Sequence, residues 1–463
     1  MLQKIKARFF SEEQRTQDQI IWKVALPCVL ENLLTFAAGL VIAAMIGRLS
    51  GDEISAQSIG NRITGVLQSL FKGIGVGATI IIGISYGKGQ LGRCRKAAEE
   101  MMLLVLPLSL VLVGVVICEP RPFLRMFADD VALIELAVPY TRAAVWLVPS
   151  VAVSRIITAA FNGQGNTRTP MVIAVTMNIV NAVLGYITIF VCNWGLLGAA
   201  WSLTFSYAFG MALGLFALYR RQGLYDGAAR EGQLFRGSWQ DIRGSFSTGL
   251  PASCENMMWS VAAIIMSRAL LTYGTNAFAG YQLASQVEEF LAAPCFGFQL
   301  AATTLLAQSM GRNDILEARR FHHRIYFWGI MVSLPVVAVL LTCAPLCMRI
   351  LTDKPAIQAI GAVYLVVAAI AYIPQTLNMI DFGAIRVVSS KSFPLIGTIL
   401  GMWGVRIPIA ALAAWVWKAD ITIIFAGIAL DQVFRWSLAL LYRRKKGVFW
   451  GRPVERTEVL TGK

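Results

Sequence analysis

MMLLVLPLSLVLVGVVIC, residues 101–118, runs eighteen positions without a charge. A helix rises 1.5 Å per residue, so such a run approaches the ~30 Å hydrocarbon thickness of a bilayer. Comparable apolar runs recur along the whole chain, at 19–46, 54–86, 95–118, 132–161, 169–192, 196–220, 245–272, 277–309, 321–347, 356–387, 394–417 and 421–442. In lipid every backbone polar group must be paired within the protein, which leaves only helices and closed barrels. Barrel strands alternate apolar and polar side chains, and these runs are apolar nearly all round. The expected fold is therefore an all-α polytopic membrane protein with twelve transmembrane helices. Composition agrees: the chain is 57% hydrophobic and 14% charged, against about 25% charged in soluble domains.

The net charge of +15 follows from where the basic residues sit. They collect in alternate connections: Lys4 to Arg15, Lys88 to Lys96, Arg220 to Arg243, Arg312 to Arg324, and Arg443 to Lys446. The positive-inside rule then puts both termini in the cytoplasm, with no call for nucleic acid as a partner. The first residues are polar and basic, unlike a cleavable signal peptide. Ile5, Phe9 and Phe10 are candidate anchors of an interfacial helix there. The eight cysteines form no metal-ligand pattern and read as small apolar filler. His322 and His323 adjoin a basic loop and read as interface residues.

The chain repeats itself. "LPCVLEN" at 26–32 returns as "LPASCEN" at 250–256, with Pro27 and Pro251 224 residues apart. The same offset carries Gly73 onto Gly297, Thr79 onto Thr303, Ser85 onto Ser309, Arg95 onto Arg319 and Pro170 onto Pro394. Two halves of six spans each share one orientation, which implies a pseudo-twofold axis along the membrane normal. The expected organisation is a cytoplasmic segment 1–18, an N-lobe 19–220, a linker 221–244, a C-lobe 245–446 and a cytoplasmic tail 447–463. Glycines 73, 75, 77, 83 and 87 permit close helix packing or bending.

Acids inside spans are costly and therefore point to function. Glu31 and Glu255 each follow a proline by four residues, on the same helical face, at roughly 12–18 Å from the helix start. Asp381 is a third, beside Asn378, with Ile157 at its repeat position. All three are ion-coupling candidates, with sodium at Glu255 and Asp381 as one form of that role and no other metal expected. Asp431 and Arg435, four apart, read as an intrahelical pair near the cytoplasmic end. Arg62, Lys72, Arg142, Arg155, Arg268 and Arg406 read as snorkelling or paired cations; several of them on a cleft would favour an anionic substrate. Trp259 and Tyr281 are candidates for an apolar wall that tolerates cations.

The stretches "ALPCVLENLLTFAAGLVIAAMIGRLSGDEISAQSIG", "GIGVGATIIIGISYGKGQ", "FNGQGNTRTPMVIAVTMNIVN", "GFQLAATTLLAQSMGRND" and "GVRIPIA" resemble the multidrug and toxic compound extrusion transporters over about residues 18–450. The resemblance implies two six-helix bundles, a central cleft, and export driven by inward proton or sodium flow. Asn32, Asn181, Asn256, Trp259, Tyr281, Gln282, Gln299 and Asn378 are the cleft candidates, of which Asn181 and Gln299 match the family pattern. The chain departs from the family at its ion sites. Ile42 stands where one branch has an aspartate in the first helix, and Gly185 where that branch has a second aspartate. Trp259 stands where another branch has a glutamate in the seventh helix, with Glu255 one turn earlier.

The expected function is secondary antiport, exporting organic and foremost cationic compounds in exchange for protons or sodium, with no cofactor. The alternative is a two-lobed flippase or exporter of an anionic or lipid-linked metabolite. No HExxH and no GxxxxGK[ST] is present, so neither enzyme chemistry nor direct ATP drive is expected. The expected partners are a small-molecule substrate and membrane lipid, with the protein working as a monomer.

Overall fold

The computed structural model describes residues 12–47, 51–127, 130–220, 224–225 and 239–446. The anchor residues Ile5, Phe9 and Phe10, most of the linker and the tail lie outside them. The described residues form helices and no strands. The first repeat comprises α1 (Glu12–Ile46), α2 (Gly51–Gly87), α3 (Leu91–Cys118), α4 (Pro120–Arg125), α5 (Val131–Ala144), α6 (Leu147–Gly163), α7 (Arg168–Tyr186) and α8 (Gly195–Tyr219). The second comprises α9 (Trp239–Leu271), α10 (Thr275–Leu291), α11 (Ala293–Gly311), α12 (Ile315–Thr342), α13 (Ala344–Leu351), α14 (Pro355–Val388), α15 (Phe393–Thr398), α16 (Ile407–Ala411) and α17 (Ile421–Lys446).

The repeat is visible in the helix starts. Gly51 and Thr275, Leu91 and Ile315, Pro120 and Ala344, and Val131 and Pro355 open corresponding helices and are each 224 residues apart. Breaks distinguish the halves. The counterpart of continuous α2 is split into α10 and α11, bent by 44°. Pro294 sits in the first turn of α11, where it cannot donate to the preceding turn. Conversely α5 and α6 meet at 43°, with Pro149 in the first turn of α6, while their counterpart α14 is continuous. Wide π turns run over Ile187–Val191, Ile399–Arg406 and Leu412–Val416.

Among the described residues nine helices are long and apolar enough to cross a membrane, or eleven when each bent pair counts as one span. Helix α9 is long enough at 33 residues, but Glu255 and Asn256 dilute its apolar stretch. Large apolar side chains stand outward along the helices, among them Val111, Ile179, Phe216, Ile370 and Leu441. In water such a surface would be a liability; in hydrocarbon it is the solvent-facing side.

The chain divides into two compact units, an N unit of Leu30–Met257 and a C unit of Met1–Val29 with Met258–Lys463. The boundaries fall within α1 and α9, just before Glu31 and just after Asn256. The opening half of α1 is therefore counted with the second repeat, and that of α9 with the first.

The attachments that hold these half-helices obey the repeat. In the N unit, Gly73 of α2 lies against Ser253 of α9, and the Ser253 hydroxyl donates to the Leu70 carbonyl. In the C unit, Gly297 of α11 lies against Ala25 and Val29 of α1. Val29 is the repeat position of Ser253. The C unit adds a clasp with no counterpart: Asp18 accepts from the Arg324 guanidinium and from the Trp328 indole at 2.8 Å. Trp22 packs edge-on against Trp328 and Phe298. The N-unit core is built of α2, α3, α5, α6 and α8 side chains around Phe71, Met101, Tyr140 and Leu147. The C-unit core gathers around Met266, Tyr364, Leu365, Tyr372 and Phe425.

Candidate functional site

In the N unit, Glu31 and Asn32 are partly buried on α1, and Glu255 and Asn256 are partly buried on α9. Both repeated acids thus belong to the same compact unit. The charged neighbour of Glu31 is Arg155 on α6. Gly75 makes room for it: a Cβ at Gly75 would stand 3.3 Å from the Arg155 carbonyl oxygen. The Asn256 amide donates to the Ala252 carbonyl at 2.7 Å, which fixes it along its own helix. Asn178 donates to Thr35 at 3.2 Å, joining α7 to α1, and Asn181 is buried less than one turn further.

The C unit holds the remaining candidates in two separate clusters and several single positions. Tyr281 on α10 packs edge-on against Tyr364 at 5.1 Å and stacks on Phe425 at 6.4 Å. The Tyr364 hydroxyl donates to Glu288, which Gln375 also reaches. Trp259 on α9 lies over two guanidinium groups, Arg406 at 5.1 Å and Arg435 at 4.9 Å. Both arginines converge on Asp431, at 3.0 Å from Arg406 and 2.8 Å from Arg435. Asp431 lies ten residues into α17, about 15 Å along it. It is therefore at mid-span, and not near the basic end as the sequence reading placed it. Gly401 permits this packing, since a Cβ there would stand 2.4 Å from Asp431 Oδ1. Arg406 closes a π turn, a distortion frequent at functional positions.

The second cluster surrounds Asp381 near the end of α14. Its Oδ1 faces Arg443 at 2.5 Å and His322 Nε2 at 3.1 Å, and its Oδ2 accepts from Tyr326 at 3.2 Å. The Trp436 indole donates to the Tyr326 hydroxyl at 2.7 Å. Asp381 is fully buried and His322 nearly so. His322 is thus an internal partner of an acid, a correction to its reading as an interface residue; burial behind α14 and α17 is what the sequence does not display. His323 fits the interface reading, exposed and bonded to the Arg319 carbonyl. Gln282 is exposed, while Gln299 on α11 sits where Gly383 of α14 packs against its carbonyl oxygen. Asn378 is buried, and its side-chain oxygen has no hydrogen-bond partner among the described residues.

Glu255 and Asp381 fall in different units. Among the described residues no group of three or more His, Cys, Asp or Glu side chains is arranged to hold a metal ion. Outside the spans, a cavity of about 470 Å³ opens where Tyr273 and Ala277 meet Lys418 to Ile421. Asp420 there caps α17, accepting from the Thr422 N–H at 2.8 Å. The Thr422 hydroxyl and N–H together hold the Asp420 carboxyl below its usual range.

Sequence reading did not single out Glu288, the joining of Arg406 to Asp431, or the role of Arg443. Glu288 was concealed by the repeat logic, because its repeat position is Thr64. Depth was the available signal for the others: Arg406, Asp431 and Arg435 all lie near the middle of apolar runs.

A duplicated bundle of membrane-length helices with a buried ionisable cluster at mid-span is that of a polytopic membrane protein. The comparisons specify which. The MatE family model matches residues 27–187 and again 251–412, one match per repeat, and the chain belongs to that family of transporters. It is 24% identical over 433 residues to "Probable multidrug resistance protein NorM" of Thermotoga maritima, covering 91% of this chain and 90% of that one. It is 25% identical over 406 residues to "Multidrug resistance protein PmpM" of Pseudomonas aeruginosa, covering 83% and 82%. Among solved structures, an outward-facing multidrug resistance MATE transporter of the MOP superfamily superposes with a TM-score of 0.85 at 17% identity, over 93% of this chain and 96% of that one. A Pyrococcus furiosus transporter of the same superfamily, described by a binding pocket of reversed polarity, matches equally well. The protein is a membrane transporter and not an enzyme.

Proposed function

We propose that this protein exports organic compounds, drugs among them, by exchanging them for protons or sodium ions through alternating access. The observation that carries this reading is the whole-length match, in both repeats, to relatives named for multidrug resistance. The drive is an ion gradient because the chain carries no phosphate-binding loop of the GxxxxGK[ST] type. Buried carboxylates are suited to take up and release a cation, since their charge is costly in a low-dielectric setting. Glu255 is the leading coupling group, with Glu31 and Asp381 as further candidates. Asp381 already has three partners, which favours a positioning role for it over free exchange. The basic connections support a cytoplasmic membrane location with both termini inside.

Organic cations are the first substrate class, attracted by the partly buried acids and by aromatic faces. A second class, anionic or lipid-linked metabolites, is favoured by one observation: Arg406 and Arg435 are buried around a single carboxylate. Inside-out vesicles test the coupling. Uptake of ethidium should follow an imposed proton or sodium gradient and persist when ATP is removed. Uptake that needs ATP with the gradients clamped would overturn the reading.

A further inference from the structure

We propose that Arg406 and Arg435, with Asp431 and Trp259, form a subsite for the carboxylate or similar oxyanion of a transported compound, with Asp431 occupying the place of that anion in its absence. The inference rests on the exporter reading and specifies a substrate class for it: organic anions and zwitterions.

Arginine stays charged at any depth, so both guanidinium groups carry their charge at mid-span. Asp431 supplies one negative charge, and Glu288 on α10 acts electrostatically on Arg406 as well. Among the described residues Asp431 is the carboxylate within ion-pairing distance of Arg406. The hydrogen-bonding geometry is unfinished. A guanidinium and a carboxylate match best through two parallel bonds. Here both arginines approach the same oxygen, Asp431 Oδ2, while Oδ1 and the Arg406 Nε have no hydrogen-bond partner among the described residues. An incoming carboxylate would complete the Arg406 fork and relieve the shared oxygen.

Trp259 supplies the remaining part. Its ring lies over both guanidinium groups and, unlike the three fully or nearly buried charged residues, it is partly exposed. An aromatic or apolar body attached to the anion has the Trp259 face to rest on. A cluster built only to hold α15–α17 together has no need of a second arginine, nor of a partly exposed aromatic cover.

The test uses the purified full-length protein and two probes with the same ring: 1-naphthoate and (1-naphthylmethyl)trimethylammonium, titrated by calorimetry. Naphthoate should bind saturably. Arg406→Gln should weaken it at least tenfold, and Arg406→Lys should weaken it less. Asp431→Asn removes the competing internal anion and should tighten naphthoate binding about tenfold, a gain that a purely structural role does not produce. The ammonium probe should be insensitive to Arg406→Gln. If Asp431→Asn is not recovered as a monodisperse protein, the two Arg406 variants decide the matter. Naphthoate binding that is absent in the parent protein, or unchanged in well-folded Arg406→Gln, would overturn the subsite. Gradient-driven ethidium transport is measured separately on the same preparations. Its loss with naphthoate binding intact refutes the exporter reading alone, and its retention with naphthoate binding insensitive to Arg406→Gln refutes the subsite alone.

Discussion

Substituting the two repeat-related glycines, Gly73 and Gly297, by alanine should destabilise the protein unequally, and the order is set by what each new methyl meets. At Gly73 the Cβ would stand 2.1 Å from the Ser253 nitrogen and 2.4 Å from its Cα. These are backbone atoms of α9, so relief requires moving a helix. Overpacking costs about 1–3 kcal/mol in general, and this case belongs at the upper end. Alanine returns roughly 1 kcal/mol of helix propensity. The net loss at Gly73 is then about 2 kcal/mol. At Gly297 the nearest atom is Val29 Cγ2 at 2.5 Å, the end of a side chain, followed by the Ala25 oxygen at 2.9 Å. A rotamer change relieves part of that, and the net loss falls to roughly 1 kcal/mol. Gly114 on α3 has nothing within 4 Å and serves as the control, where alanine should stabilise by about 0.5–1 kcal/mol. The assay is thermal denaturation in detergent, read by loss of the monodisperse size-exclusion peak. At about 2–4 °C per kcal/mol for a unit of this size, Gly73→Ala should melt roughly 4–8 °C early. Gly73→Ala melting with the parent protein, or above Gly297→Ala, would refute the packing described for α9 on α2.

Other predictions follow from single contacts. Asp18→Asn removes the carboxylate that pairs with the buried Arg324 and should cost about 3–5 kcal/mol, measured in the same melting assay; Glu13→Gln, facing Arg320 at the surface, should cost less than about 1 kcal/mol. Cys118 and Cys192 are exposed and Cys94 and Cys295 are buried, so a membrane-impermeant maleimide on intact cells should label the first two only, and labelling of neither would contradict the orientation. Glu255→Gln should reach the membrane at parental abundance with efflux strongly reduced, whereas Glu31→Gln should change apparent affinity more than maximal rate; normal ion-dependent efflux by Glu255→Gln would return that residue to a packing role.

How much of this was legible in the sequence depends on the range of the interaction. Apolar runs, turn residues and the 224-residue offset are local or periodic, and they specify the helices and their duplication. Prolines alone did not specify where helices break: Pro27, Pro107 and Pro251 sit inside single helices, while Pro294 and Pro149 accompany bends. The acids were legible as costly, but their partners were not. Asp381 meets Arg443, 62 positions away on another helix. Asp431 with Arg435 was visible as a helical pair, yet Arg406 and Trp259 join it from other helices. The repeat itself misled at Glu288, because an acid in one half with threonine in the other looks like drift.

The central claim, that movement of an organic compound in one direction is tied to movement of an ion in the other, is tested most directly by counter-flux. Purified protein is reconstituted into liposomes loaded with the pH-sensitive dye pyranine, at equal pH and sodium on both sides. An imposed gradient of ethidium then supplies the only driving force. The account predicts that ethidium entry drives protons or sodium out, seen as internal alkalinisation or as sodium release, and that Glu255→Gln abolishes the ion movement. Ethidium equilibrating through the parent protein with neither ion moving would contradict it.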